Sequence, residues 1–481
     1  MKRREGFIIR GTGFNLKGAG EEKHRDRVAP ASRLENRFRL PYLICMKPGR
    51  TLFAPALAAL VVSAALLSPL PAGEKNTGPP KAPRLDSKKK AEIKDAIKAY
   101  FKSTEPAEKA ALIGKLEAVG PVSKSAIREF TKLAFRYLPY GTRLVTKHKS
   151  SLTTDAGTGT LYISGIKKKK LQPLLIGLHG GGPGVGDGAN SEQKWQSAMG
   201  KGAICVFPTV IQKTATAWNK EREEKYVIAI IEAVKRTCRV DTNRIYLVGH
   251  SMGGFGTWSI GSNYADIFAA ISPNAGGPFV TVSGGKVVGV ARGQIKPLYN
   301  TPVYFFHSTD DAQVKPGADQ YAAKLLGELR KEHPDGYEHV YKEYTDIGHG
   351  MPRDGVGPIL KYLFSKKRDP YPKKVIFEPC RSYKRLFAWV EIPLKSPVSW
   401  ICAEYDRKKN RITVKTIGGD GGFVLYINPQ KMVDMKKPVT VTVNGKERWS
   451  GYVQYSAAAL LHSLGELRDP ARYYTARISF P

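Results

Sequence analysis

The chain has 481 residues, 42% hydrophobic and 25% charged, which leaves room for two or three domains with buried cores and excludes a wholly disordered polypeptide. Lysine and arginine outnumber aspartate and glutamate 77 to 42, a formal net charge of +35. That balance favours anionic polysaccharide or an anionic surface, but the basic residues are scattered and form no nucleic-acid module, so nucleic acid is not an expected partner.

Residues 1–45 hold 11 Lys/Arg and 5 Asp/Glu with no sustained apolar period, and read as an upstream extension. Met46, Lys47 and Arg50 then precede a nearly unbroken apolar run, Leu52 to Leu70, that leaves through Pro71-Ala72-Gly73. A basic flank, an apolar core and a small-residue exit form a secretory signal peptide, here 46–72. The expectation is a start at Met46, cleavage near Ala72, a secreted or periplasmic chain and no stable membrane insertion afterwards. An uncleaved anchor is the alternative, because the 19-residue run is just long enough to span a bilayer. Of the five cysteines, Cys205, Cys238, Cys380 and Cys402 follow Met46. Four allow three full pairings, with Cys380–Cys402 among the possible disulfides. There is no C-x-x-C to suggest zinc or redox chemistry.

Gly73 to Ser87 is a Pro-, Lys- and Gly-rich linker. From Lys88 to Tyr137 apolar residues recur at helical spacing (Ile93, Ile97, Tyr100, Phe101; then Leu112, Leu116, Ile127, Phe130), so 73–140 reads as a linker and a small helical accessory segment. Strands are expected at Thr158–Ser164, Pro173–Leu178, Ala203–Phe207, Ile245–Val248, Phe268–Ser272, Val303–Phe306 and Val340–Tyr344. Helices are expected near Glu221–Thr237, Ala318–Lys331 and Val356–Phe364. Strands alternating with helices predict an α/β domain over 141–369, a mostly parallel sheet covered on both faces. A glycine-rich insertion between Asn274 and Tyr299 is either a roof over a site or a plain hairpin. From Pro370 short β runs follow, with Asn444-Gly445 as a type I′ hairpin signal. Segment 370–481 is therefore expected to be a separate β-sandwich-like domain. Trp389, Trp400 and Trp449 are core residues by default and a carbohydrate-stacking surface as the alternative.

The stretch that carries chemistry is Arg244 to Trp258, RIYLVGHSMGGFGTW. A short apolar strand enters Gly249-His250-Ser251-Met252-Gly253, and a helix can begin directly after it. Glycines two before and two after Ser251 remove Cβ atoms that would clash in a sharp turn. This stretch resembles the nucleophile elbow of the α/β-hydrolases, and the resemblance covers about Gly141 to Lys367. The segments VDTNRIYLVGHSMGGFGTW and IFAAISPNAGG are similar to secreted bacterial phospholipase/carboxylesterases and polyhydroxyalkanoate-depolymerase-like esterases.

The resemblance implies a base and an orienting carboxylate, in the order Ser, Asp, His along the chain. FFHSTDDAQVKP places Asp310 and Asp311 after an apolar strand. His307, Asp311 and Val314 keep the family spacing H-G-x-x-D-x-x-V, with Ser308 replacing the glycine. Asp311 is thus the expected carboxylate and Asp310 the runner-up. His349, between Gly348 and Gly350, is the best-placed base; His179, His333, His339 and His462 are worse placed. His179-Gly180-Gly181-Gly182-Pro183 follows a strand, as oxyanion loops do in similar esterases. Gly181, with Gly180 or Gly182 adjacent, and Met252 are the implied oxyanion donors.

The expected function is a secreted serine hydrolase cleaving small-molecule or polymer-linked carboxylic esters, with catalytic Ser251, Asp311 and His349 and neither cofactor nor metal. Two alternatives stand beside it. One is a peptidase resembling prolyl oligopeptidase. The other is a carbohydrate- or polymer-binding protein with a vestigial triad.

Overall fold

Local caps and apolar spacing fix the first helices. The computed structural model describes residues 79–138 and 143–481; the expectations for residues 1–72 and the boundary at Gly141 lie outside them. Helix α1 (Ser87–Lys102) starts at Asp86, whose carboxylate accepts from the Lys89 amide at 2.7 Å. Helix α2 (Pro106–Val119) opens on a proline, which needs no intrahelical acceptor. Helix α3 (Lys124–Tyr137) is capped by Ser123.

The main unit begins with β1 (Lys149–Thr154), β2 (Gly157–Ser164), β3 (Gln172–Leu178), α4 (Gly188–Trp195), β4 (Ile204–Pro208) and α5 (Glu221–Thr237). It continues through β5 (Val240–His250), α6 (Met252–Asn263), β6 (Ala270–Asn274), the hairpin β7 (Val280–Ser283) and β8 (Lys286–Val290), then β9 (Val303–Ser308), α7 (Gly317–Glu332), β10 (His339–Tyr344) and α8 (Gly357–Phe364). Eight strands form one sheet in the order β1-β2-β4-β3-β5-β6-β9-β10. Strand β2 runs antiparallel to both neighbours, and every pairing from β4 to β10 is parallel. The apolar run in β3 is buried at every position because helices cover both faces, whereas β2, near the edge, alternates. This order, with the second strand reversed, is the α/β-hydrolase arrangement.

Beyond it lie β11 (Lys374–Phe377), β12 (Leu386–Phe387), β13 (Val390–Glu391), β14 (Trp400–Asp406), β15 (Arg411–Ile417), β16 (Phe423–Ile427), β17 (Val439–Val443), β18 (Lys446–Gly451), α9 (Ala457–Leu467) and β19 (Ala476–Phe480). The strands make two sheets, β11-β14-β15-β17-β18 and β12-β13-β16-β19, whose buried faces share one apolar cluster, giving a sandwich-like layering. Asn444 and Gly445 both take positive φ at the β17–β18 turn, as the type I′ signal requires. Trp389 is fully buried and donates to the Pro372 carbonyl at 2.8 Å, while Trp400 and Trp449 pack partly buried against the same cluster. Among the described residues no helix is long and apolar enough to cross a membrane.

Three observations differ from the sequence reading. Cys205, Cys238, Cys380 and Cys402 are all free, and Cys380 donates instead to Asn263 Oδ1 at 2.9 Å. Helix α9 stands where only strands were expected, and its Leu460, Leu461 and Leu464 share a core with α1, α2 and α3. Packing also runs on across Pro370. One apolar cluster includes Leu247 and Phe268 of the hydrolase unit together with Trp389 and Phe423. A buried ionic network reinforces it: Asp266, after α6, pairs with Lys384 and Arg472 at 3.0 Å each, and Arg368 pairs with Asp469. Burial opposes ionisation of Asp469, but Arg368, Lys235 and Arg472 outweigh it and hold the carboxyl well below the usual range.

Removing 370–481 would take Lys384 and Arg472 from Asp266 and Asp469 from Arg368, and open the shared core. Breaking one such pair costs about 3–5 kcal/mol, a large share of a typical domain's stability of about 5–15 kcal/mol. A chain ending at Asp369 is therefore expected to be insoluble or unfolded by circular dichroism. A soluble, cooperatively folding truncation would contradict the shared-core account.

Candidate active site

The apolar run Ile245–Val248 forms the fully buried part of β5, near the middle of the sheet. Its chain turns abruptly at Ser251, which sits at φ 60°, ψ −122° and gives way at once to α6. A non-glycine residue held there costs about 1–3 kcal/mol, so the surroundings must over-determine it. They do so through close approach. A Cβ on Gly249 would lie 2.1 Å from the Gly253 carbonyl oxygen, and one on Gly253 would lie 2.2 Å from that of Leu178. The Ser251 amide donates to the Asn274 carbonyl at 2.9 Å, which ties the turn to β6.

Loops from two neighbouring strands reach the serine. Ser251 Oγ donates to His349 Nε2 at 2.7 Å, and His349 Nδ1 donates to Asp311 Oδ2 at 2.6 Å. Asp311 follows β9 and His349 follows β10, so the three residues meet at one edge of the parallel sheet. The Asp311 side chain is wholly buried. Its other oxygen accepts from the Gln313 and Val314 amides at 2.8 and 2.9 Å. Burial works to raise the Asp311 carboxyl, but those amides and His349 outweigh it and keep it below the ordinary carboxylate range. Asp310 does not touch the imidazole. It accepts from Ser308 Oγ and from the Gly348 amide, the latter at 3.0 Å, and so braces the loop that carries His349. Gly348 takes φ 54°, the left-handed conformation that glycine favours.

Behind Asp311 lies a layer the sequence only half revealed. His307 Nε2 donates to the Val314 carbonyl at 2.9 Å and lies 3.2 Å from Asp311 Oδ2. Its Nδ1 donates to Asp319 Oδ2 at 2.7 Å, and the other Asp319 oxygen accepts from Trp258 Nε1 at 2.9 Å. Burial disfavours the charged ring, yet Asp319 and the Val314 carbonyl prevail and raise its pKa. The His307 spacing was visible in the sequence. Asp319 gave no local signal, because only the packing of α7 brings it there.

The glycine loop after β3 passes beside the serine: a Cβ on Gly180 would come 3.2 Å from Ser251 Cβ. Gly181 takes φ 129° and lines the same cavity as Ser251 and His349. Met252 is the first residue of α6, so its amide has no acceptor within the helix. His179 shapes the loop. Its Nδ1 donates to the Gly180 carbonyl at 2.7 Å, its Nε2 accepts from the Val210 amide at 3.2 Å, and its own carbonyl accepts from Trp218 at 3.0 Å. His333, His339 and His462 find partners elsewhere.

The cavity holds about 490 Å³ and is walled by the glycine loop, by Asn190, Gln193 and Lys194 of α4, and by His250 and Gln313. The hairpin β7–β8 contributes nothing to that lining, so the insertion forms a hairpin and not a roof. His250 donates through Nε2 to the Gly350 carbonyl at 3.1 Å, which holds the His349 loop a second time. Burial, then Lys194, push the His250 pKa down to about 3, so the ring is neutral at ordinary pH. Among the described residues no cluster of His, Cys, Asp or Glu is arranged to hold a metal ion.

No family model matches the chain. A bifunctional acetylxylan esterase/xylanase from Neocallimastix patriciarum is 31% identical over 145 residues, 29% of this chain and 19% of that protein. Feruloyl esterase B from Piromyces equi is 29% identical over 160 residues, 31% of this chain and 28% of that protein. The matched segment thus spans less than a third of either relative. Among solved structures, a thermostable esterase is 21% identical with a TM-score of 0.36, covering 47% of this chain and 63% of its own. A ferulic acid esterase from Anaeromyces mucronatus is 18% identical with a TM-score of 0.34, covering 47% and 90%. The strand order, the reversed second strand and the strand–Ser251–helix elbow give this chain the α/β-hydrolase fold.

Proposed function

We propose that the chain is a serine hydrolase of carboxylic esters, in which Ser251 is the nucleophile, His349 the base and Asp311 the orienting carboxylate. The observation that supports this reading most is the hydrogen-bonded series Ser251–His349–Asp311, open to a cavity at the serine end. Ser251 Oγ attacks the ester carbonyl carbon while His349 Nε2 takes its proton. Asp311 stabilises the imidazolium, and the tetrahedral oxyanion accepts from the Gly181 and Met252 amides. His349 then gives its proton to the departing alcohol. Water enters, loses a proton to His349 and attacks the acyl carbon; His349 then returns that proton to Ser251 Oγ as the acyl C–O bond breaks, which releases the acid and restores the serine. Every proton moves between groups of this chain, substrate and water, so no cofactor is required.

The names of the two relatives, acetylxylan esterase and feruloyl esterase, supply the first acyl groups to try. Export belongs to the same proposal, on the strength of the basic flank and the apolar run Leu52 to Leu70. N-terminal sequencing of the mature protein should begin near Gly73, and a chain retaining that run in the membrane fraction would contradict export.

Ser251→Ala should reduce turnover of 4-nitrophenyl acetate by about a millionfold. Asp311→Asn should cost about four orders of magnitude, because it favours the wrong imidazole tautomer, whereas Asp310→Asn loosens only a brace and should cost far less. An active Ser251→Ala protein, or the reverse ranking of the two aspartates, would overturn these roles. Faster cleavage of peptide amides than of esters would favour the peptidase alternative.

A further inference from the structure

Among the described residues, the cavity beside Ser251 is lined by a cation, Lys194, that has no counterion. Lys194, in the last turn of α4, donates from Nζ to His250 Nδ1 at 3.1 Å and lines the same cavity as Ser251 and His349. An ammonium carries three donors. Only one is committed here, and no carboxylate of the described residues lies within ion-pair distance of it. His250 cannot balance the charge, since it is a neutral acceptor whose other nitrogen is engaged by Gly350. The acids nearest in sequence face other partners. Glu192 bonds His148 and Ser164, and Asp187 caps the start of α4. The remaining polar groups on this wall, Asn190, Gln193 and Gln313, are uncharged.

A half-buried cation without a counterion is costly, and burial lowers the Lys194 pKa. Placement near the C-terminal end of α4 offsets little of that, as the dipole of an eight-residue helix contributes only about 0.3–1 kcal/mol. The charge is also poorly placed for chemistry at the serine alone, because His349 becomes cationic in the reaction and its ring centre lies 5.1 Å from that of His250. An anion bound against Nζ removes both penalties.

We propose that Lys194 is a specificity-determining residue that binds a carboxylate on the substrate, so that the preferred esters are anionic. This rests on the esterase reading given above. The excess of Lys and Arg over Asp and Glu, which persists beyond Gly73, fits it, since a basic protein concentrates anionic substrates at its surface. The carboxylate belongs either to the acyl part or to the alcohol part of the ester, and matched substrate pairs separate the two.

Mono-4-nitrophenyl adipate against 4-nitrophenyl hexanoate tests an acyl carboxylate. 4-Acetoxybenzoate against phenyl acetate tests one on the alcohol. The readout is the ratio of kcat/KM within each pair, so a general loss of activity through His250 moves both members together. The intact protein should prefer the anionic member of one pair. Lys194→Met should lower that ratio about 10- to 100-fold, the range expected for a hydrogen bond to a charged group, and Lys194→Arg should recover part of it. Calorimetric binding of adipate and of 4-hydroxybenzoate reads the site without turnover, and one of them should bind the intact protein but not Lys194→Met. Preference for the neutral member of both pairs, ratios unmoved by Lys194→Met, or hydrolysis without Lys194-dependent anion binding would each overturn the inference. Lys194-dependent binding in a protein that cleaves no ester would support the anion site and overturn the esterase reading instead.

Discussion

A serine held in a backbone conformation that costs free energy is the constraint on which the rest of the site depends. Ser251 keeps φ 60° because α6 sits against β5 and β3 too closely for side chains at Gly249 and Gly253. That contact has two consequences. It lifts the hydroxyl off the end of β5 toward the cavity, and it sets the positive end of the α6 dipole beside that hydroxyl. Parallel strands then supply the remaining groups. Their C-terminal ends all lie at one edge of the sheet, so the loops after β3, β9 and β10 converge around Ser251 although their residues are far apart in sequence.

The electrostatics of the site are arranged by dipoles and hydrogen bonds more than by ion pairs. Asp311 is kept ionised by two backbone amides and an imidazole, which fix its direction as well as its charge. His307 sits behind as a buried bridge between Asp311 and Asp319, and locks the turn after β9 to α7. On the other side His250 holds the Gly350 carbonyl, while Asp310 holds the Gly348 amide. The loop carrying His349 is therefore pinned on both sides of that residue. Lys194, which has no carboxylate within ion-pair distance among the described residues, faces the cavity beside Ser251.

Much of this was legible in the sequence because it is local. The fully apolar runs at Ile245–Val248 and Pro173–Leu178 marked central strands, and the glycine pattern marked the elbow. Asn444-Gly445 marked a hairpin. What escaped depends on contacts between distant segments. Asp319 and Lys194 lie on helices where a charged residue ordinarily faces solvent, and only tertiary packing turns them inward. Helix α9 is apolar on nearly every side because it is buried by α1–α3 on one side and by β19 on another, so it shows no amphipathic period among its β neighbours. The composition change at Pro370 marks a change of secondary structure. It does not mark a break in packing, since Asp266 finds its cations among residues more than a hundred positions away.

The central claim, that this elbow presents a serine activated for acyl transfer, is tested most directly by trapping the covalent intermediate. Rapid acid quenching during turnover of 4-nitrophenyl acetate, followed by mass spectrometry of peptides, should find one acetyl group per chain, carried on Ser251. Its appearance should coincide with a burst of nitrophenol of equal stoichiometry. An acetyl group on a different residue, or steady turnover with no acylated enzyme under conditions where deacylation is slow, would contradict the account.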